Sequence, residues 1–333
     1  MLKTRLTELL GINDPIISAP MVRYSGAGLA VAVSSAGGLG TFGAASPTRA
    51  ATPEYVREQI HLVRSGTNRP FGVGFITQAI PLFPESFEIV LEERVPVVLF
   101  SFADPRPYLR RAKDHGAIAI CQGQTVEAAE NAVDAGADVL VAQGNESGGH
   151  TGTMNLLPFL VRLVDMFPRV PVIASGGIAH PRSLAAVLAA GGEGAWIGTA
   201  FLATHEANEV AEALKELIVK SSAEDTVYTP VFDIVALARF KGAPWPAGIA
   251  ARVLNNDFAR EWHGHEPELQ SRLDQILPDY AEAVKRGDRR IIASFFGESA
   301  SFVHDIRNAE EVIREMCDGA ESLLRRRTAD LIP

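Results

Sequence analysis

Cysteine is scarce in this sequence. Cys121 and Cys317 are the only thiols among 333 residues, which excludes a scaffold held together by disulfides. The sequence also contains no Walker loop, which would cradle a nucleotide, and no Gly-x-Ser-x-Gly turn, which would present a serine nucleophile. The residues that carry the chemistry of this chain must therefore belong to other motifs.

Long apolar runs are missing as well. The most apolar stretches, 90–103 and 183–191, fall well short of the ~20 residues that a membrane-spanning helix needs. The first ten residues contain Lys3, Arg5 and Glu8, and they lack the apolar core of a signal peptide. These absences predict a cytoplasmic protein without a membrane partner.

Positive charge is in the minority. The chain has 31 Lys and Arg against 40 Asp and Glu, giving a formal net charge of -9. This acidic balance argues against nucleic acid or an anionic membrane as the main partner. Hydrophobic residues make up 47% of the sequence, which is enough to bury a large core and excludes a disordered chain.

What the sequence does contain is an alternation of short apolar runs and helix-like stretches over its first 200 residues. Eight runs predict strands, at residues 15–20, 38–43, 71–76, 95–102, 117–122, 139–143, 171–176 and 195–199. These runs are apolar throughout, which is typical of a parallel sheet covered on both faces. Eight β/α units predict an α/β fold, a TIM (β/α)8 barrel over residues 1–220. The alternative, a doubly wound sheet, needs a glycine fingerprint after the first strand, and none follows.

The character of the sequence changes near residue 221. Segment 225–265 is rich in Pro and Trp, which indicates irregular structure, whereas segments 267–286 and 308–327 have the apolar spacing of amphipathic helices. We therefore predict that residues 221–333 form a C-terminal, mainly helical cap packed on the barrel.

Two pairs of residues stand at the ends of neighbouring predicted strands. Gly176 and Gly177 come at the end of the seventh strand, and the eighth strand ends in Gly198 and Thr199. The loops after these strands commonly form a phosphate site in barrel enzymes, and glycine lets backbone N–H groups approach an anion closely. We expect a phosphorylated ligand here; the alternative is that these glycines only make tight turns.

The loop after the sixth strand contains His150 in a Gly-Gly-His-Thr-Gly setting. A histidine at the catalytic end of a barrel strand suits proton transfer, because its unperturbed pKa is close to neutrality. Glu146, four residues upstream, either orients the imidazole or caps the loop. The spacing of the neighbouring acids and thiols gives no metal-ligand pattern, so no metal is expected.

Taken together, these strand ends resemble the nitronate monooxygenases, formerly called 2-nitropropane dioxygenases. The matching segments are 15–21 (PIISAPM), 32–40 (AVSSAGGLG), 71–74 (FGVG), 143–150 (QGNESGGH), 172–178 (VIASGGI) and 198–203 (GTAFLA). The resemblance implies noncovalently bound FMN and oxidation of alkyl nitronates or nitroalkanes by dioxygen to a carbonyl compound and nitrite. It also implies His150 as the base, and it leaves a homodimer open.

Carried over motif by motif, the resemblance assigns two groups of cofactor-binding residues. The phosphate would be held by Gly176, Gly177, Gly198 and Thr199, with Trp196 and Ile197 beside it. The ring and ribityl chain would be lined by Ala19, Pro20, Met21, Gly74, Gln122, Gln143 and Gly148. The chain departs from the family at Gly74, where many members have Asn, and around Phe296 and residues 299–301.

Two other interpretations remain open. The nearest is an NAD(P)H-dependent flavin reductase on the same scaffold, such as a quinone reductase or a class II enoyl-acyl-carrier-protein reductase. The other is a barrel that binds a phosphorylated ligand without turning it over. An enzyme of the IMP dehydrogenase type is disfavoured, because it needs a Cys in the phosphate loop.

Overall fold

The computed structural model describes residues 2–46, 52–240 and 242–331, and its largest sheet is a parallel barrel. In chain order the strands are β1 (Ile16–Ser18), β2 (Gly40–Ala45), β3 (Phe71–Ile76), β4 (Val97–Ser101), β5 (Ile118–Gly123), β6 (Val139–Gln143), β7 (Gly149–Thr151), β8 (Val172–Ser175), β9 (Ala195–Ile197), β10 (Thr226–Thr229) and β11 (Ala250–Leu254). Eight of them form one sheet in the order β1-β9-β8-β6-β5-β4-β3-β2. A parallel bridge between Ile17 and Leu39 joins the two edges. The predicted barrel and its eight strands are confirmed.

One helix precedes the first barrel strand, and the others lie between or after the strands. These helices are α1 (Arg5–Leu10), α2 (Ala27–Ser35), α3 (Pro53–Gly66), α4 (Pro84–Glu92), α5 (Arg106–Asp114), α6 (Val126–Asp134), α7 (Leu156–Met166), α8 (Pro181–Ala189), α9 (Thr199–Leu202) and α10 (Glu212–Val219). Thr52 and Thr125 cap α3 and α6 by accepting a hydrogen bond from the backbone three residues on. Helix α10, the last of the barrel, begins at Glu212.

Two apolar layers explain why the strands lack alternation. Side chains facing the barrel axis, such as Ile17, Leu99 and Val141, form one cluster that Leu6 and Leu10 of α1 join. Side chains facing outward pack against the helices in a larger cluster. Each strand is therefore apolar on both faces, as expected for a covered parallel sheet.

A second unit packs over the barrel mouth. Here β10 and β11 pair antiparallel, and β11 also pairs with β7 from the barrel part of the chain. The helices of this unit are α11 (Val231–Phe240), α12 (Asp257–Trp262), α13 (Glu266–Ser271) and α14 (Leu273–Arg286). Its own apolar core includes Phe232, Val253 and Trp262. We call residues 226–295 the lid.

The remaining segment returns to the barrel. Helix α15 (Ala309–Leu331) packs along α8 and also touches α2, and Val312, Ile313 and Met316 are buried in the barrel's outer apolar layer. The mainly helical character predicted for residues 221–333 is confirmed, although strands β10 and β11 were not foreseen. The boundary predicted at residue 220 stays a prediction. In the described part of the chain, no helix combines the length and apolarity needed to cross a membrane.

Candidate active site

A cavity of about 520 Å³ lies between the carboxyl ends of the barrel strands and the lid. This volume is in the range of about 300–1,000 Å³ typical of small-molecule sites. Thirteen of the fourteen residues predicted from the sequence line it: Ala19, Pro20, Met21, Gln122, Gln143, Gly148, His150, Gly176, Gly177, Trp196, Ile197, Gly198 and Thr199. The structure therefore brings these strand ends together around one space.

Gly74 is the exception, because it is absent from the cavity wall. A Cβ atom at this position would lie 2.3 Å from Cγ of Pro20, a contact that no real structure tolerates. Gly74 thus supports the site indirectly, since it leaves the space that Pro20 occupies at the end of β1.

The glycine-rich end of the cavity is formed by neighbouring strands β8 and β9, paired through Ser175 and Trp196. Gly176 and Gly177 both have positive φ, 114° and 67°, which favours glycine. Gly198 is the N-cap residue of the short helix α9. Because glycine has no Cβ, the backbone N–H groups at these positions can approach a ligand closely, which is the arrangement an anion needs.

Ser147 adds a side-chain donor to this end. Its Oγ atom is buried without a hydrogen-bond partner among the described residues, and a Cβ built on Gly176 would lie 2.8 Å from it. Thr199 Oγ1, in turn, accepts a hydrogen bond from Gly297 N at 3.0 Å, which leaves its own proton free to be donated. A buried polar atom without a partner is costly, so Ser147 points to a ligand oxygen at this position.

Three glutamines form a hydrogen-bonded chain that ends at the backbone of His150. Gln143 Nε2 donates to the carbonyl of His150 at 3.0 Å, and Gln143 Oε1 accepts from Gln124 Nε2 at 2.8 Å. Gln124 Nε2 also lies 3.2 Å from Gln122 Oε1. These bonds fix the amide of Gln143 and anchor the loop that carries the histidine. Gln124, which is buried, was not foreseen from the sequence.

His150 lies on β7, where it is paired with Ala251 of the lid strand β11. Its Nε2 atom is 2.7 Å from Oδ1 of Asp233 on helix α11, and the two side chains are only 15% and 14% exposed. Trp245 stacks on the imidazole, with ring centroids 3.6 Å apart and planes inclined by 17°. The ring is therefore held in one orientation by an acid and an aromatic face, both supplied by the lid.

The carboxylate of Asp233 is itself incompletely satisfied. Its Oδ2 atom is buried and has no hydrogen-bond partner among the described residues. Glu146, in contrast, is turned away from the imidazole and accepts from the N–H of Leu156 at 3.1 Å, at the start of α7. Of the two roles considered for Glu146, the structure favours capping, and Asp233 is the acid beside the histidine.

Asp233 and Trp245 are two further site residues that the sequence did not predict. Asp233 is separated from His150 by 83 positions, and no motif marks it. Trp245 had a weak signal, since a tryptophan between two prolines in an irregular segment is unusual for a surface loop. Only the pairing of β7 with β11 places the lid beside the histidine.

Comparison with known proteins gives a consistent assignment. The family model for nitronate monooxygenase matches residues 3–82 and 75–319. A probable nitronate monooxygenase of Staphylococcus aureus is 28% identical, with 89% of this chain and 92% of the relative covered. The structure of FabK from Thermotoga maritima is similar over 99% of this chain and 100% of that one, with a TM-score of 0.86 and 32% identity. A nitroalkane oxidase from Streptomyces ansochromogenes is 29% identical, with a TM-score of 0.77 and coverage of 96% and 99%. The barrel, the glycine-lined strand ends and the histidine loop are thus those of a member of the nitronate monooxygenase family, to which this chain belongs.

Proposed function

We propose that this protein is an FMN-dependent nitronate monooxygenase, which oxidises alkyl nitronates or nitroalkanes with dioxygen to a carbonyl compound and nitrite. The observation that supports this most directly is the His150–Asp233 pair, 2.7 Å apart, facing a cavity whose other end is lined by glycine backbone. The pair offers a proton acceptor, and the glycine backbone offers a place for a phosphate.

The residues present fit FMN. Gly176, Gly177, Gly198 and Thr199 would hold its phosphate, and the unpartnered hydroxyl of Ser147 would donate to the same group. The residues predicted for the ring and ribityl chain line the same cavity: Ala19, Pro20, Met21, Gln122, Gln143 and Gly148. Trp196 and Ile197, which also line it, would lie beside the phosphate. When bound, FMN supplies the electron transfer that nitronate oxidation by dioxygen requires.

His150 would remove the α-proton of a nitroalkane. If Nε2–H is donated to Asp233 Oδ1, the lone pair of Nδ1 is left to accept the proton. The charge of Asp233 then stabilises the imidazolium that forms, and the imidazolium stabilises the nitronate anion beside it. Trp245 and the lid keep water away from this step.

The test begins with an absorbance spectrum of the purified protein, followed by nitrite detection with nitroalkanes and with preformed nitronates under air. His150→Ala should keep FMN bound and lose activity on neutral nitroalkanes by roughly 10²–10⁴-fold, with nitronates less affected. Equal activity of the variant and the parent on a nitroalkane would remove His150 as the base. A colourless protein that binds no FMN would support the barrel that binds a ligand without turnover.

A flavin reductase on the same scaffold is the second candidate, because FabK from Thermotoga maritima is similar over the full length at 32% identity. Stopped-flow mixing of the oxidised protein with NADH or NADPH separates the two functions. Rapid bleaching of the flavin absorbance without nitronate, followed by turnover of a quinone or an enoyl thioester, would overturn the monooxygenase assignment.

A further inference from the structure

The cavity continues beyond His150 into the lid. Ala236 of α11 and Val284 of α14 line this part, together with Ile292 and Ala293 from the segment after α14. Helices α11 and α14 pack against each other, and Val284, Ile292 and Ala293 pack against the lid's apolar core. The space beyond the histidine therefore has apolar walls that suit a hydrocarbon, and it is not needed to hold a small nitroalkane.

Two arginines of the lid also line the cavity. Arg239 is in the last turn of α11, and Arg289 follows α14 in a segment whose carbonyl groups at 289 and 292 accept hydrogen bonds from the buried Asn256. Both arginines are half-buried. Across residues 2–46, 52–240 and 242–331, neither guanidinium forms an ion pair with a carboxylate.

The guanidinium of Arg239 is held in place by aromatic rings and not by a carboxylate of the described residues. Its guanidinium lies over the ring of Phe240 at 5.2 Å and over that of Tyr280 at 5.8 Å, so aromatic faces hold it in place. Guanidinium groups lining a cavity bind carboxylates well, because their planar fork matches the two oxygens. The nearest acid of the cavity on this helix, Asp233, is already engaged with His150.

The spacing on α11 sets the length of the ligand. Asp233 touches His150, and Arg239 follows six residues later, which is about 9 Å along a helix at 1.5 Å per residue. An extended chain advances about 1.2 Å per bond, so roughly eight bonds cover this distance. Ala236, one turn beyond Asp233, lines the space between them.

We propose that the substrate is an amphipathic acid: an apolar chain of medium length with its reacting carbon at His150 and a carboxylate at Arg239 and Arg289. This inference rests on the proposed function for the reaction at His150. The recognition of the acid depends only on the lid.

The first test measures binding without turnover. Octanoate and methyl octanoate are titrated into the FMN-loaded protein, and the shift of the flavin absorbance gives each dissociation constant. A carboxylate paired with arginine predicts that octanoate binds about 10- to 100-fold more tightly than its ester. Arg239→Gln and Arg289→Gln should each reduce this preference. The matched control, Arg260→Gln, changes an exposed lid arginine paired with Asp257 and should keep it.

The second test uses 8-nitrooctanoate, its methyl ester and 3-nitropropionate with nitrite detection. We expect 8-nitrooctanoate to have the highest kcat/KM of the three. Its methyl ester should have a lower kcat/KM because its KM is higher. Equal binding of octanoate and its ester, or a preference that survives in the Arg239→Gln, Arg289→Gln double variant, would overturn the inference. If octanoate bound more tightly than its ester but no nitro compound were oxidised, the monooxygenase function would be contradicted. The proposed carboxylate site would still be supported.

Discussion

The contact between Asp233 and His150 permits a quantitative prediction for Asp233→Asn. Asparagine keeps the shape of the side chain and can still accept a hydrogen bond from Nε2, but it removes the negative charge beside the imidazole. The pair is 2.7 Å apart and about 85% shielded from solvent, so its charge interaction is stronger than that of a surface pair. A hydrogen bond to a charged group contributes about 1.5–3 kcal/mol. At about 1.4 kcal/mol per factor of ten, kcat/KM for proton abstraction should fall roughly 10- to 150-fold.

The assay compares a neutral nitroalkane with its preformed nitronate. Because the nitronate has already lost its α-proton, Asp233→Asn should slow oxidation of the nitroalkane much more than oxidation of the nitronate. Asp257→Asn is the matched control, since Asp257 is a well-exposed acid of the lid, and both rates should stay unchanged. Equal losses on the two substrates would refute the role of Asp233 in orienting the base and would indicate that it acts on ligand binding instead.

Stability provides a second check on the same variant. Asp233 Oδ2 is buried without a partner among the described residues, and an unsatisfied buried charge opposes folding. Replacing the carboxylate by an amide should therefore leave the thermal midpoint unchanged or raise it, while activity falls. A large fall in the midpoint would mean that the lost activity reflects a damaged lid rather than a misoriented histidine.

Three further predictions concern the stability of the fold and the reactivity of its two thiols. Gly148→Ala places a Cβ 2.4 Å from the backbone N of Gly297, so it should destabilise the fold by about 1–3 kcal/mol or more and weaken FMN binding, as measured by denaturant unfolding and flavin fluorescence. Burial raises the pKa of the Asp14 carboxyl above its ordinary value of 3.8. The native state therefore binds the carboxyl proton more tightly than the unfolded state does, and the protein loses stability as the pH rises from 3.8 through the pKa of Asp14 in the native state. Asp14→Asn should accordingly raise the thermal midpoint at pH 7, with a smaller gain near pH 4. Burial also raises the pKa of the Cys121 and Cys317 thiols, so a disulfide reagent at pH 8 should modify neither in the native protein and both in guanidinium.

The barrel could be predicted from the sequence because its strands are buried on both faces. Runs such as 71–76 and 139–143 are apolar throughout, and the structure has β3 and β6 at these same residues. The lid sheet could not be predicted in this way. Strand β7 has three residues, two of them Gly149 and His150, and it forms only because β11 pairs with it about a hundred positions later.

The site was predictable to the extent that it depends on local backbone. The paired residues at the ends of β8 and β9 could be recognised as a candidate anion site, because their position and the conformational freedom of glycine follow from the chain itself. The setting of His150 is different, since its acid and its aromatic neighbour come from a separate unit. Gly74 shows a further limit: it was expected to line the cofactor, but it is absent from the cavity wall, and its need for glycine comes from the contact with Pro20.

The pairing of β7 with β11 makes the lid part of the structure that holds His150 in place. Arg252 of β11 also donates to the carbonyl of Asn145 at 2.8 Å, so the histidine loop is tied to the lid at two points. A ligand that entered by lifting the lid would separate His150 from Asp233 and Trp245 at the same time. The imidazole would then lose its fixed orientation, its counterion and its shield from water together. In the proposed reaction, proton abstraction would therefore require the closed lid, because only there does His150 have Asp233 and Trp245 beside it.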